Sequence, residues 1–148
     1  MVGSQDSLRK EAKAKSGVNK QNHVDVSVVI PYLDESESLP ELYKQITQSL
    51  SSTNWSYELI FVDDGSQDNG WDIINSFRKT DDRVSGIKFT RNFGKSQALH
   101  AGFERSQGEV VFTMDADLQD NPKELEALYN KLKSENLDLV SGWKKVRH

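Results

Sequence analysis

Residues 26–66 read VSVVIPYLDESESLPELYKQITQSLSSTNWSYELIFVDDGS, and this stretch decides the fold. Its two ends, Val26 to Pro31 and Tyr57 to Val62, are short runs rich in β-branched and aromatic residues, as expected of buried strands. Between them Leu39, Leu42, Tyr43, Ile46 and Leu50 recur at helical spacing, with Ser38 placed as N-cap and Pro40 in the first turn. Strand, helix and strand joined by short loops make a right-handed crossover between parallel neighbours.

The alternation continues downstream. Trp71, Ile74 and Phe77 predict a second helix, and Val84 to Phe89 a weaker third strand. Ala98, Leu99, Gly102 and Phe103 predict a third helix, with Gly108 just past its end as a stop. Glu109 to Met114 (EVVFTM) is a fourth strand. Leu125, Leu128, Tyr129 and Leu132 mark a fourth helix, with Asn121 as N-cap and Pro122 at the first helical position, and Leu137 to Ser141 is a possible fifth strand. The expected fold is α/β, a mainly parallel sheet with helices on both faces. Upstream, Met1 to His23 is polar without apolar periodicity and reads as a disordered leader, leaving 24–148 as one domain.

Composition narrows the partners. Residues 1–23 hold five basic and two acidic side chains, net +3; the whole chain carries −4, so the remainder is −7. Such an acidic body argues against nucleic acid, whose phosphates demand clustered Lys and Arg. It is compatible with a small phosphate ligand delivered with a divalent cation. There is no cysteine, which excludes disulfides and Cys-ligated zinc. No apolar run approaches the ~20 residues of a membrane helix.

In a parallel sheet, ligands bind beyond the carboxyl ends of the strands. Three of those ends are acidic here: Asp34 and Glu35 after the first strand, Asp63 and Asp64 after the second, Asp115 and Asp117 after the fourth. Like charges gathered at one rim raise one another's pKa values unless neutralised. Magnesium or manganese neutralises them, preferring one or two carboxylates plus substrate phosphates. Asp115 and Asp117 can reach one ion provided Ala116 lies in a turn. Each acidic site also has a plainer explanation. Asp-x-Asp alone fits a solvated turn, Asp63-Asp64-Gly65-Ser66 fits a tight turn with capping by Ser66 or Asp68, and Glu35 fits a helix first turn. His100 and His148 lie away from the strand ends and read as structural.

Taken together, the runs IPYLDE, VDDGSQD, RNFGK and MDADLQD resemble family 2 glycosyltransferases of the GT-A fold. The branch they look closest to is that of dolichyl-phosphate mannosyltransferases and bacterial polyprenyl-phosphate glycosyltransferases. The resemblance implies that this chain is the Rossmann-like, nucleotide-sugar-binding half of such an enzyme, truncated on its C-terminal side. It implies that Pro31, Tyr32 and Glu35 line the base and ribose pocket, with Asp63 on the base and Asp64 near the ribose. Asp115, Ala116 and Asp117 become the family's Asp-x-Asp, catalytic through a Mg2+ or Mn2+ ion on the donor diphosphate, and Gln119 completes the metal shell. Arg91 and Lys95 fall near the donor, though surface charge explains them equally well.

The implied reaction is inverting transfer of a sugar from a UDP- or GDP-sugar to a lipid phosphate, in cell-envelope glycan synthesis on the cytoplasmic side. By resemblance to the bacterial branch, UDP is favoured. A lipid-phosphate acceptor is already anionic, with a second pKa of ~6, and needs little general base. Acceptor binding and membrane association would belong to C-terminal parts beyond WKKVRH. Two alternatives stay open on the residues: a nucleotide-sugar-binding fragment without turnover, and a magnesium-dependent phosphatase or phosphotransferase using the Asp-x-Asp. An interaction module with incidental acids is a third, which three acidic strand ends disfavour.

Overall fold

The computed structural model describes residues 23–135. The leader up to residue 22, the fifth strand expected at 137–141, and His148 lie outside the described residues. The elements run β1 (Val26–Tyr32), α1 (Leu39–Ser51), β2 (Tyr57–Asp63), α2 (Gly70–Thr80), β3 (Val84–Lys88), α3 (Lys95–Arg105), β4 (Val110–Thr113) and α4 (Glu124–Ser134). All described strands are parallel, in the order β3-β2-β1-β4. Val26 pairs with Tyr57 on one side and Val110 on the other, so β1 is the central seam. All seven of its residues are buried, as a strand covered on both faces requires.

Right-handed crossovers set the faces. Going from β1 to β2 to β3 the chain steps one way across the sheet and lays α1 and α2 on one face. Returning from β3 to β4 it steps the other way, which puts α3 on the opposite face. The larger core joins Leu39, Leu42, Ile46 and Leu50 of α1 and Leu125 of α4 to Val28, Ile30, Phe61 and Phe112. The smaller core lies under α3: Ala98 against Val29, Ile60 and Val62. There the helix lies almost on the sheet, because Gly102 has no side chain; a Cβ at that position would sit 2.3 Å from Val29 Cγ1.

Element ends differ from expectation in instructive ways. Ser38 stands at the N-cap of α1 in helical conformation and makes no capping bond; its hydroxyl donates to Glu35 Oε1 at 3.0 Å. Asn121 does accept the Lys123 amide at 3.0 Å, the expected capping contact, but the first turn is tight and α4 proper begins at Glu124. α3 ends at Arg105, with the Ser106 amide bonding back to Gly102 and Phe103, so Gly108 is no helix stop. Gly108 instead allows a close approach to β1: its amide donates to Ser27 Oγ at 2.8 Å, and a Cβ would lie 2.6 Å from the Ser27 nitrogen.

Candidate functional site

The chain reverses its direction across the sheet between β1 and β4, and in open α/β sheets this switch point is where the crevice forms. The carboxyl ends of β1, β2 and β4 open onto that rim. Pro31 and Tyr32 close β1, both buried and paired with Val62 and Asp63 of β2. The Tyr32 hydroxyl donates to Asp63 Oδ2 at 3.2 Å, and the Ser66 amide donates to Asp63 Oδ1. Burial first, then the Asp63 charge and the hydrogen bond to it, push the Tyr32 phenol far above its ordinary range, so it stays a donor.

Two side chains stitch the first two loops together. Asp34, at φ 55, accepts the amides of Gln67 and Asp68, and its own amide donates to Ser66 Oγ. Asp68 answers by accepting the amides of Ser36 and Gly70 at 3.0 and 2.9 Å. Desolvation alone would raise the Asp68 carboxyl; those amides outweigh it and hold it below its ordinary range. Glu35 stays at this rim, receiving Ser38.

Asp64 reaches the other way, to the loop between β3 and α3. It is only 5% exposed, and it accepts the Phe93 amide at 2.8 Å, the Gly94 amide at 3.2 Å and Asn92 Nδ2 at 3.1 Å. Gly65, at φ 89, lies under the same loop; a Cβ there would be 2.4 Å from the Arg91 carbonyl carbon. Arg91 folds its guanidinium over the Phe93 ring, 4.2 Å from the centroid. Lys95 then opens α3 and sets its ammonium 2.7 Å from Asp115 Oδ1.

Past β4 the chain leaves the sheet in a turn at Ala116 and Asp117 and not in extended backbone. Ala116 is buried and anchors the turn; Asp117 accepts the Gln119 amide at 3.2 Å and stays exposed. The Asp115 amide is held by Asp120 Oδ2, and Leu118 takes φ 66, a left-handed conformation that costs a branched residue energy. Thus the ends of β1 and β2 bring Pro31, Tyr32, Asp63 and Asp64 together at the rim, while Glu35 bonds to Ser38 within its own loop. Lys95 bridges from the third loop to Asp115. Of the residues that hold the loops in place, the sequence offered Asp34 only as a strand-end acid and Asp68 only as a cap, and gave no role to Asn92 or Asp120; the Asx-turn preference of Asp and Asn is the one local signal of such roles.

One further cluster lies at the opposite end of the sheet. His23 Nε2 is 2.9 Å from Asp25 Oδ1 and 3.4 Å from Glu109 Oε2, and Lys133 Nζ also contacts Glu109. Among the described residues this is the trio whose ligand atoms fall within 4.8 Å of one another. It precedes β1 and β4, away from the crevice. His100 is surface-exposed and pairs with Glu104 one helical turn on.

Fold and rim together define a doubly wound α/β domain with its acids at the switch point. Residues 27–147 match the model of glycosyl transferase family 2, and the chain belongs to that family. It is 42% identical over 114 residues to the undecaprenyl-phosphate 4-deoxy-4-formamido-L-arabinose transferase of Shewanella sediminis, spanning 76% of this chain and 34% of that protein. The protein of that name from Pseudomonas fluorescens is 43% identical over 104 residues, 70% of this chain and 30% of its own length. The chain therefore spans about a third of these relatives. Among solved structures, Staphylococcus aureus TarS 1–349 with UDP-GlcNAc superposes with a TM-score of 0.61 at 20% identity, over 76% of this chain and 32% of that one. Mannosyltransferase PcManGT from Pyrobaculum calidifontis, with GDP-Man and Mn2+, gives 0.59 at 22% identity, over 75% and 32%. These likenesses establish the GT-A fold, and family membership sets aside the phosphatase and interaction-module readings.

Proposed function

We propose that this chain is the donor-binding half of an inverting glycosyltransferase that moves a sugar from a nucleotide diphosphate to a polyprenyl phosphate in cell-envelope glycan synthesis. The observation that carries the reading is the 2.7 Å contact between Lys95 and Asp115, because it joins the RNFGK loop to the Asp-x-Asp turn at the switch point. The names of the relatives support the lipid-phosphate acceptor, and a neighbour's bound UDP-GlcNAc supports a uridine donor.

In this reading Pro31 and Tyr32 form the floor of the base pocket, and Asp63, oriented by Tyr32 and Ser66, accepts from the base. Glu35 is placed beside the ribose, and Asp64, buried and turned to the Phe93 and Gly94 amides, acts there through the loop it fixes, which carries Arg91 and Lys95. Asp115 and Asp117, with Gln119, fit a hard divalent ion: the donors are oxygens, two of them carboxylate, and a cation already rests against Asp115 in the form of the Lys95 ammonium. When bound, such an ion supplies Lewis-acid stabilisation of charge on the leaving diphosphate. The chain's own residues orient the donor and keep its diphosphate beside Arg91 and Lys95. No histidine or cysteine is required, since a phosphate acceptor arrives deprotonated. The chain spans about a third of its relatives' length, and in this reading the donor half carries neither acceptor recognition nor membrane attachment. Among the described residues, no helix is long and apolar enough to cross a membrane.

Calorimetric titration of the chain with UDP, with and without Mn2+, tests the donor site. Binding should tighten with Mn2+, and Asp117→Ala should remove that increment while leaving the metal-free isotherm in place. Equal affinity with and without the ion would remove the metal from the reading.

A further inference from the structure

We propose that Lys95 is the resident counter-ion of Asp115, and that a divalent ion binds only by displacing its ammonium. The inference rests on the reading of Asp115 and Asp117 as metal ligands, and goes beyond it by assigning Lys95 as the competitor that sets how tightly the ion is held.

The geometry favours exchange over a fixed pair. The backbone at Lys95 is pinned: the preceding Gly94 amide bonds to Asp64, and the Ala98 amide closes the first helical turn on the Gly94 carbonyl. The side chain is not pinned, being 60% exposed, against 26% for Asp115. Its ammonium is therefore a tethered cation on a flexible stem, aimed at one carboxylate oxygen of a residue whose backbone amide donates to Asp120 Oδ2. An ammonium and a divalent ion need the same oxygen lone pairs and repel each other, so Asp115 Oδ1 cannot serve both at close range. Once displaced, the ammonium stays at the rim, where a diphosphate carries the opposite charge. Lysine suits this exchange better than arginine, whose planar fork holds a carboxylate by two bonds. The arrangement also offsets one of the turn's negative charges before any ion arrives.

The test is Mn2+ binding to the 148-residue chain, read from the loss of the free-ion electron paramagnetic resonance signal. Lys95→Met keeps the stem and removes the charge; it should bind Mn2+ about two- to fivefold more tightly, the range an exposed ion pair can contribute. Lys95→Arg keeps the charge and should bind no more tightly than wild type. Both variants should show the wild-type melting profile, since the side chain is mostly exposed. If Lys95→Met binds Mn2+ equally or more weakly, while Asp117→Asn still reduces binding, the displacement idea is wrong and the metal site stands. If wild type binds no Mn2+ and Asp117→Asn changes nothing, the metal reading itself has failed.

Discussion

Asp64 accepts the amides of Phe93 and Gly94 and the side chain of Asn92 while almost wholly buried, so one carboxylate shapes a loop about thirty residues away in sequence. Burying that charge is tolerable only because several donors satisfy it. Asp64→Asn replaces an acceptor oxygen with an amino group facing those amides, and leaves donors unmatched. We expect a loss of about 1–3 kcal/mol in urea unfolding, the penalty for buried unsatisfied polar groups. Amide exchange at Phe93 and Gly94 should accelerate. Because the loop delivers Lys95 to the rim, UDP affinity in the presence of Mn2+ should fall as well. Unchanged exchange at those amides would show that the loop holds itself. A tight turn was readable from Asp63-Asp64-Gly65-Ser66, but its distant client was not, since no local pattern encodes a contact across the sheet.

The packing of α3 on β1 poses a conflict between helix propensity and close approach. Propensity alone predicts that Gly102→Ala stabilises an α-helix by about 1 kcal/mol. The added Cβ would sit 2.3 Å from Val29 Cγ1 and 3.3 Å from Val29 Cβ. Val29 is fully buried and stiff at χ1, so neither partner can step aside. Overpacking costs about 1–3 kcal/mol, enough to outweigh the gain. Gly102→Ala should therefore lower the melting temperature, and combining it with Val29→Ala should cost less than the sum of the single changes. Strict additivity would count against the steric account. The same contrast marks what could be read beforehand. Strands and helices were legible because β-branched runs and helical spacing are local signals, and the acidic strand ends followed from the parallel topology. The roles of Gly102 and Gly108 were not legible, since both serve contacts with β1 that depend on the finished packing. The Lys95–Asp115 contact was hidden for a similar reason: the two lie twenty residues apart, and only the crossover of α3 back to β1 and β4 brings them to one rim.

Far from the crevice, a single carboxylate ties three elements together and makes stability depend on pH at both extremes. Asp81, 7% exposed, accepts the Tyr43 hydroxyl of α1 at 2.6 Å and the Arg83 Nε at 2.9 Å, and its amide closes the end of α2 on Phe77. Tyr43 also stacks on Phe77, with centroids 4.2 Å apart. Desolvation works against the Asp81 charge, but the bonds from Arg83 and Tyr43 outweigh it and depress its pKa. A depressed carboxyl stabilises the fold above its ordinary value of 3.8, and that contribution disappears as pH falls through the folded value. Tyr43 has the opposite sign. Burial, then the bond to Asp81, push its phenol from 10.0 up to about 12, so its contribution is complete below pH 10 and is lost as pH climbs towards 12. One hydrogen bond thus acts on both limbs of the stability curve. Tyr43→Phe keeps the stacking and removes that bond, costing about 1–2 kcal/mol at pH 7. Urea midpoints at pH 3, 7 and 11 should then differ less in the variant than in wild type, on the acid and the alkaline side alike. Parallel curves for the two proteins would mean that the pair contributes no pH dependence, and that the acid and alkaline limbs arise from other groups.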